Sequence, residues 1–225
     1  MRPVLTNEEV AEFRADVCRI AEGLFARRGV DGVTMRHIAT ELGCSPTTAY
    51  RYFKNKDEIL SAVRAAAFNR FCEVIEKATR SGSDPRQSAR NVGQAYLGFA
   101  LENPDAYRMM FDISQVAVTG SAELAEALAR AVRSMVAYVA PLIDQGHLHG
   151  DAYVVGQMLW ASTHGLVMLR LAGIVADDAA MRQLHEKTMA ALARGTDSAT
   201  AAKPATRARS GSAPAPAGNP ARKRR

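Results

Sequence analysis

The chain is predicted to be all-α, and three observations carry that prediction. Apolar residues recur at intervals of three or four along most of the first 195 residues. Helix-capping residues stand at the head of almost every such stretch. No stretch keeps a period of two, so no sheet is expected. About nine helices are expected before residue 195.

Thr6 with Glu9 forms a capping box, and Phe13, Val17, Ala21 and Leu24 follow at helical spacing until Gly29 ends the first helix. Thr34 heads a short second helix carrying Ile38, Ala39 and Leu42, which stops at Gly43. Ser45 as N-cap and Pro46 at the first helical position, where its missing N–H costs nothing, open a third through Tyr50 to Phe53. Asn55 and Glu58 start a long fourth helix through Ile59, Leu60, Val63, Phe68, Phe71 and Ile75, and Ser81, Gly82 and Ser83 break it. Asp84-Pro85 launches a fifth, and Asn103-Pro104 a sixth containing Tyr107, Met110, Phe111 and Ile113. A seventh is expected from Ser121 to about Gln145, kinked or shortened by Pro141, which has no N–H to give. Asp151 caps an eighth to about Leu171, and residues 178–193 form a ninth. Beyond Gly195 the chain lacks large apolar residues and is expected to be a disordered basic tail, residues 195–225. The expected division is 1–55, 56–194 and that tail.

The net charge of +6 is unevenly spread. Residues 1–80 hold 13 Lys/Arg against 11 Asp/Glu, residues 81–195 hold 9 against 11, and residues 196–225 hold 7 against 1. The body is near neutral, so a case for a polyanionic partner has to be made locally. The tail's cations either add nonspecific phosphate contacts or serve as a solubilising extension. Cys18, Cys44 and Cys72 lie far apart with no metal-ligand spacing, which points to a reducing compartment and to no zinc site or disulfide framework. With no signal-peptide pattern and no long uncharged apolar window, a cytoplasmic protein that spans no membrane is expected.

Residues 33–53 read VTMRHIATELGCSPTTAYRYF: a short helix, a glycine-centred turn and a second short helix, which has the dimensions of a helix-turn-helix. Ile38, Ala39, Leu42, Ala49 and Phe53 are spaced to pack inward. The outward set differs in kind: Arg36, Thr47, Thr48, Tyr50, Arg51, Tyr52, Lys54 and Lys56 are donors or cations, and Val33 to Lys56 carries four Arg/Lys against one Glu. The helix N-terminus at Ser45 offers N–H groups to phosphate, and Thr47 and Thr48 are placed to read base edges. Arg36 and Lys56 suit backbone phosphates, holding register rather than specifying sequence. Tyr50 and Tyr52 point in different directions, so one reaches a phosphate or base while the other flanks it.

This run resembles the DNA-binding signature of the TetR/AcrR family of regulators. The matching residues are Gly29, Thr34, Arg36, Ile38, Ala39, Gly43, Ser45, Tyr50, Tyr52, Phe53, Lys56 and Leu60. The resemblance implies a recognition helix from about Ser45 to Tyr52, with Thr47, Tyr50 and Tyr52 near DNA and Lys56 clamping a phosphate. Thr47 stands where relatives often carry glycine, and Cys44 where they usually carry valine. The candidate DNA-binding set is thus Thr34, Arg36, Ser45, Pro46, Thr47, Thr48, Tyr50, Arg51, Tyr52, Lys54 and Lys56, and the expected partner is a double-stranded operator.

In the second half, Tyr107, Met110, Phe111, Trp160, His164 and Met168 are candidates to line a small-molecule pocket, although such a set also makes ordinary core. Trp160, His164 and Gly165, with the Tyr107–Phe111 stretch before them, resemble the C-terminal subtype of the same family named for its Trp, His and Gly. His164 either touches a ligand or bonds across the core. The family further implies a homodimer made by the last two helices. Ala152, Val155, Leu159, Ser162 and Leu166 form the stripe expected to face the partner, and a palindromic operator would match that twofold symmetry. The expected function is a ligand-responsive repressor, with an activator or architectural factor of the same fold as the alternative. A helical carrier or enzyme is the rival from another class, and it lacks a nucleophile, carboxylate pair, phosphate loop or metal cluster. No cofactor or metal is expected, and the effector stays unidentified.

Overall fold

The computed structural model describes residues 6–112 and 121–201, which hold ten α-helices and no strand. In chain order they are α1 (Asn7–Arg28), α2 (Met35–Glu41), α3 (Pro46–Tyr52), α4 (Lys56–Arg80), α5 (Pro85–Glu102), α6 (Pro104–Met110), α7 (Ala122–Ala137), α8 (Ala140–Asp144), α9 (Ala152–Leu171) and α10 (Asp178–Ala201). The caps sit where the sequence puts them. Thr6, Thr34, Ser45, Asn55, Asp84, Ser121 and Asp151 each accept, through a side-chain oxygen, the backbone N–H three residues on. Losing such a cap costs about 1 kcal/mol. Asn103 departs from the pattern: its amide donates to the Phe99 carbonyl at 3.0 Å and caps nothing ahead of it.

Three expectations need correction. The single seventh helix is two, because Pro141 cannot donate within a helix and instead takes a place in the first turn of α8. The last helix runs past Gly195 to Ala201, and Thr196 there is buried, its hydroxyl bonded to the Ala193 carbonyl and accepting from the His149 N–H. α6 closes at Met110, and Ile113 and tail residues 202–225 lie outside the described residues.

Two apolar cores organise the chain. The first joins Val17, Ala21, Leu24 and Phe25 of α1 to Ile38 and Ala39 of α2, Ala49 of α3, Phe53, and Ile59 to Val63 at the start of α4. The second gathers the rest of α4 with α5 to α10. Two elements belong to both. α4 runs through each core, and α6 places Met109 in the first and Tyr107 and Met110 in the second. Polar clamps fix α4 laterally: Arg70 reaches Glu22 of α1 at 2.8 Å, and Arg130 of α7 grips Glu76 at 2.8 and 2.9 Å while Ser134 donates to the same carboxylate. The Arg130 hydrogen bonds hold the Glu76 carboxyl below its ordinary range.

α9 is apolar on every side, and the structure divides its faces differently from the expectation. Val155 and Leu159 are 4% and 7% exposed within the single chain, Ala152 and Leu166 pack against the same core, and Ser162 donates to its own Met158 carbonyl. The outward face instead carries Tyr153, Val154, Met158, Met168 and Leu169. Gly156 sets this orientation. A Cβ there would stand 3.0 Å from Val136 Cγ2 and 3.3 Å from the Met135 carbonyl oxygen, so its absence lets α9 lie close against α7.

Candidate nucleic-acid interface and ligand cavity

α2 and α3 pack through Ile38, Ala39 and Ala49, all fully buried, and Gly43 at φ +71° makes the turn between them. That packing leaves Thr34, Arg36, Ser45, Pro46, Thr47, Tyr50, Arg51 and Lys54 exposed, with Tyr50 at 54%. The remaining three candidates are half-buried and engaged. The Thr48 hydroxyl meets Ser45 Oγ at 2.9 Å, and the Thr48 N–H is capped by Ser45. Pro46, at the first position of α3, has no N–H to offer. The Tyr52 ring packs on Phe13 with centroids 4.5 Å apart. Lys56 Nζ donates to the Val30 carbonyl at 2.8 Å, tying α4 to the turn after α1.

Arg14, which the sequence reading passed over, holds the recognition helix from behind. From α1 its guanidinium donates to the Tyr52 carbonyl, lies 4.1 Å over the Phe53 ring and pairs with Glu58 at 3.9 Å and Glu123 at 3.8 Å. A cation set among the apolar positions Val10, Phe13 and Val17 was the signal available for it. His37 was missed as well: its Nδ1 accepts from the Thr34 N–H and completes a capping box on α2.

In the second core, Trp160 Nε1 donates to Tyr96 Oη at 3.1 Å, Tyr96 and Tyr107 hydroxyls meet at 2.7 Å, and Tyr107 Oη meets His164 Nδ1 at 2.7 Å. Phe111 closes on the His164 ring at 4.3 Å. Burial pushes both tyrosine hydroxyls up and the His164 imidazole down from their ordinary values. Met110 is buried beside this group and Met168 lies on the outer face of α9.

A cavity of about 760 Å³ opens next to that network, between α5, α8, α9 and α10. None of the six residues expected to line a pocket lines it. Tyr96, Leu142, Leu159, Thr163 and Met189 form its walls, with Arg86, Arg90, His147, Arg182 and His185 toward the polar side. Of the predicted set, Tyr107, Trp160 and His164 are joined to that wall through the Tyr96 hydroxyl, whereas Met168 faces outward. His147 is half-buried and bonds Arg86 at 3.1 Å. The Cys18 thiol, in the groove beside α1, is pushed up to about 12 by burial.

Residues 19–63 match the model of the bacterial regulatory proteins of the tetR family, and residues 89–207 match that of the tetracyclin repressor-like C-terminal domain. The chain belongs to the TetR family. It is a helix-turn-helix, DNA-binding transcriptional regulator. Among curated proteins this TetR-family regulator is 28% identical over 101 residues to the HTH-type transcriptional activator FasR of Mycolicibacterium smegmatis, covering 45% of this chain and 46% of that one. The regulator spans about half the length of the curated relatives it matches. Among solved structures it is similar to a Rhodococcus sp. RHA1 protein of unknown function, with a TM-score of 0.71 and 25% identity over 81% of this chain and 94% of the other. The fatty acid degradation regulator FadR of Bacillus halodurans shares the fold at a TM-score of 0.66 and 16% identity, over 77% and 92% of the two chains. Among the described residues of the regulator no helix is long and apolar enough to cross a membrane.

Proposed function

We propose that the protein is a homodimeric, ligand-responsive repressor that binds a palindromic operator through two copies of α3 and releases it when a small molecule occupies the C-terminal half. The observation that carries this reading is the joint between the cores. Arg64, buried on α4 directly after the head's core residue Val63, donates to the Met110 carbonyl at 3.1 Å, and Met110 ends the helix whose Tyr107 belongs to the network bordering the cavity. A ligand that displaces Tyr96 shifts α6, and α6 acts on α4 and, through Met109, on the head itself. The ligand must favour the non-binding conformation, by about 1.4 kcal/mol for each tenfold change in population.

Thr47 reads base edges, and Arg36, Tyr50, Arg51 and Lys54 meet phosphates or bases from the exposed side of α2 and α3. Thr34, Ser45 and Pro46 shape the helix ends presented there. Lys56 supports the head through Val30 and lends its charge to the same side. The C-terminal half is assigned to the Trp-His-Gly subtype, which the shared network of Trp160 and His164 supports. The regulator works in the cytoplasm, and its tail is a solubilising extension.

Selection of bound fragments from random DNA with the purified protein is expected to return an inverted repeat, and titration of candidate effectors into that complex is expected to release it. Enrichment of no duplex removes operator binding, whereas an operator affinity that no bound ligand changes removes only the switch. An activator is the second reading, favoured by the likeness to the transcriptional activator FasR. The position of the selected operator relative to the promoter decides between them.

A further inference from the structure

We propose that the cavity between α5, α8, α9 and α10 takes an amphipathic organic acid, with its carboxylate at an arginine-lined mouth and its apolar body inside. This deepens the ligand-responsive reading by naming the class of ligand, and it rests on that reading only for its consequence at the operator.

The mouth carries positive charge that the protein leaves unbalanced. Arg86 and Arg90 stand four residues apart on α5 and so share a face, and Arg182 stands on α10. Elsewhere in this half Arg108, Arg130, Arg133 and Arg170 each pair with a carboxylate. The three arginines of the mouth do not. Arg86 meets the ring nitrogen of His147, Arg90 donates to the side-chain oxygen of Gln87 at 2.8 Å, and Arg182 makes no hydrogen bond or ion pair among the described residues. Glu186, the one carboxylate of the lining, offsets one charge of three. Like charges gathered at a concave, partly apolar site raise the local potential for an anion, and guanidinium groups bind carboxylates through paired N–H donors.

The interior imposes the other half of the ligand. Its walls are mostly apolar, and two of the polar groups that reach it are already spent: the Thr163 hydroxyl on the Leu159 carbonyl at 2.9 Å, the Tyr96 hydroxyl on Tyr107 and Trp160. An ionised carboxylate loses least water beside the exposed Arg86, Arg90 and Arg182, and the apolar body is the part the walls favour, which sets the orientation as head out and body in. The volume is in the range of about 300–1,000 Å³ usual for small-molecule sites.

Trp160 is the chain's one tryptophan and bonds the tyrosine that lines the cavity, so its fluorescence reports occupancy. The full-length protein would be titrated at low salt with decanoate, 1-decanol and decyltrimethylammonium, each below its aggregation concentration. Decanoate is expected to give a saturable change, with the alcohol at least about tenfold weaker, the cation weaker still, and the acid's advantage fading as salt screens the mouth. In an Arg90→Ala/Arg182→Ala variant the acid is expected to fall to the level of the alcohol, whose own affinity stays put. Equal affinity for acid and alcohol, saturable binding of neither, or a preference for the acid that survives in the variant would overturn the proposal. The wild-type comparison stands whether or not the variant folds. An acid that binds without loosening the operator leaves the ligand class intact and removes the switch; release by alcohol and acid alike does the reverse.

Discussion

Arg14 shows how a single side chain sets the pose of a recognition helix without touching the outward face. It donates to the carbonyl at the end of α3, covers the Phe53 ring and answers Glu58 at the start of α4, so three elements meet on one guanidinium. Replacing it with alanine removes a charge-assisted hydrogen bond, a cation–ring contact and the packing of its stem, and is expected to cost about 1–3 kcal/mol in urea denaturation. Operator binding should weaken with no change in its salt dependence, because Arg14 has no phosphate to release. Arg51→Ala and Lys54→Ala are expected to behave the other way. Both side chains are exposed, so stability should hold while the slope of log affinity against log salt drops by about one for each phosphate that no longer has its cation. An unchanged slope for all three would mean that the phosphates are held elsewhere on the head.

Among elements, the chain of hydroxyls linking α5, α6 and α9 has a direction that follows from the donors available. Trp160 donates to Tyr96, so each tyrosine O–H finds an acceptor only if Tyr96 gives to Tyr107 and Tyr107 gives to His164 Nδ1. His164 must then be neutral with its proton on Nε2, in agreement with burial lowering it below its ordinary value of 6.5. His185, packed against Gly93 of α5, shifts the same way for the same reason. A histidine held lower in the folded than in the unfolded chain binds its proton more readily once unfolded, so the stability it lends is full above about 6.5 and is lost as pH falls through the folded value. Urea midpoints compared at pH 7.5 and 5.5 should therefore fall, and a His164→Gln/His185→Gln variant should fall less; an equal drop would place the titrating groups elsewhere. Such a chain was not legible in the sequence, because its members sit on three helices and nothing local marks Tyr96. Caps were legible, since the capping side chain and the backbone N–H that donates to it stand three positions apart. The face of α9 was not, because a helix apolar all round has no moment to orient it, and small residues suggest close approach without saying to what. Gly156 answers that within the chain. Gly156→Val would set methyl groups against Val136 and the Met135 carbonyl, with an expected cost of about 1–3 kcal/mol in thermal or chemical denaturation.

At the scale of the molecule, the outer side of α9 presents Tyr153, Val154, Met158, Met168 and Leu169, and α10 adds Leu184. So many large apolar side chains exposed along one helix are uncommon on a monomer. Gly165 lies on the same side, and a Cβ there would meet nothing within 4 Å, so space remains for another backbone. On the homodimeric reading proposed above, a second copy would cover this surface, twofold symmetry setting α9 and α10 against their own equivalents and aiming two α3 helices at one duplex. Val155 and Leu159 are spent on the protomer's own core. Leu169→Glu then tests the surface without disturbing that core, because its side chain is 44% exposed. Sedimentation should show the wild type as a dimer and the variant as a folded monomer with unchanged helical content. Its operator affinity should drop by about 100-fold or more, because the second half-site is no longer bound at high effective concentration. A variant that stays dimeric would place the interface elsewhere. A monomer that keeps full affinity would show that one head suffices, and with it the need for a palindrome would go.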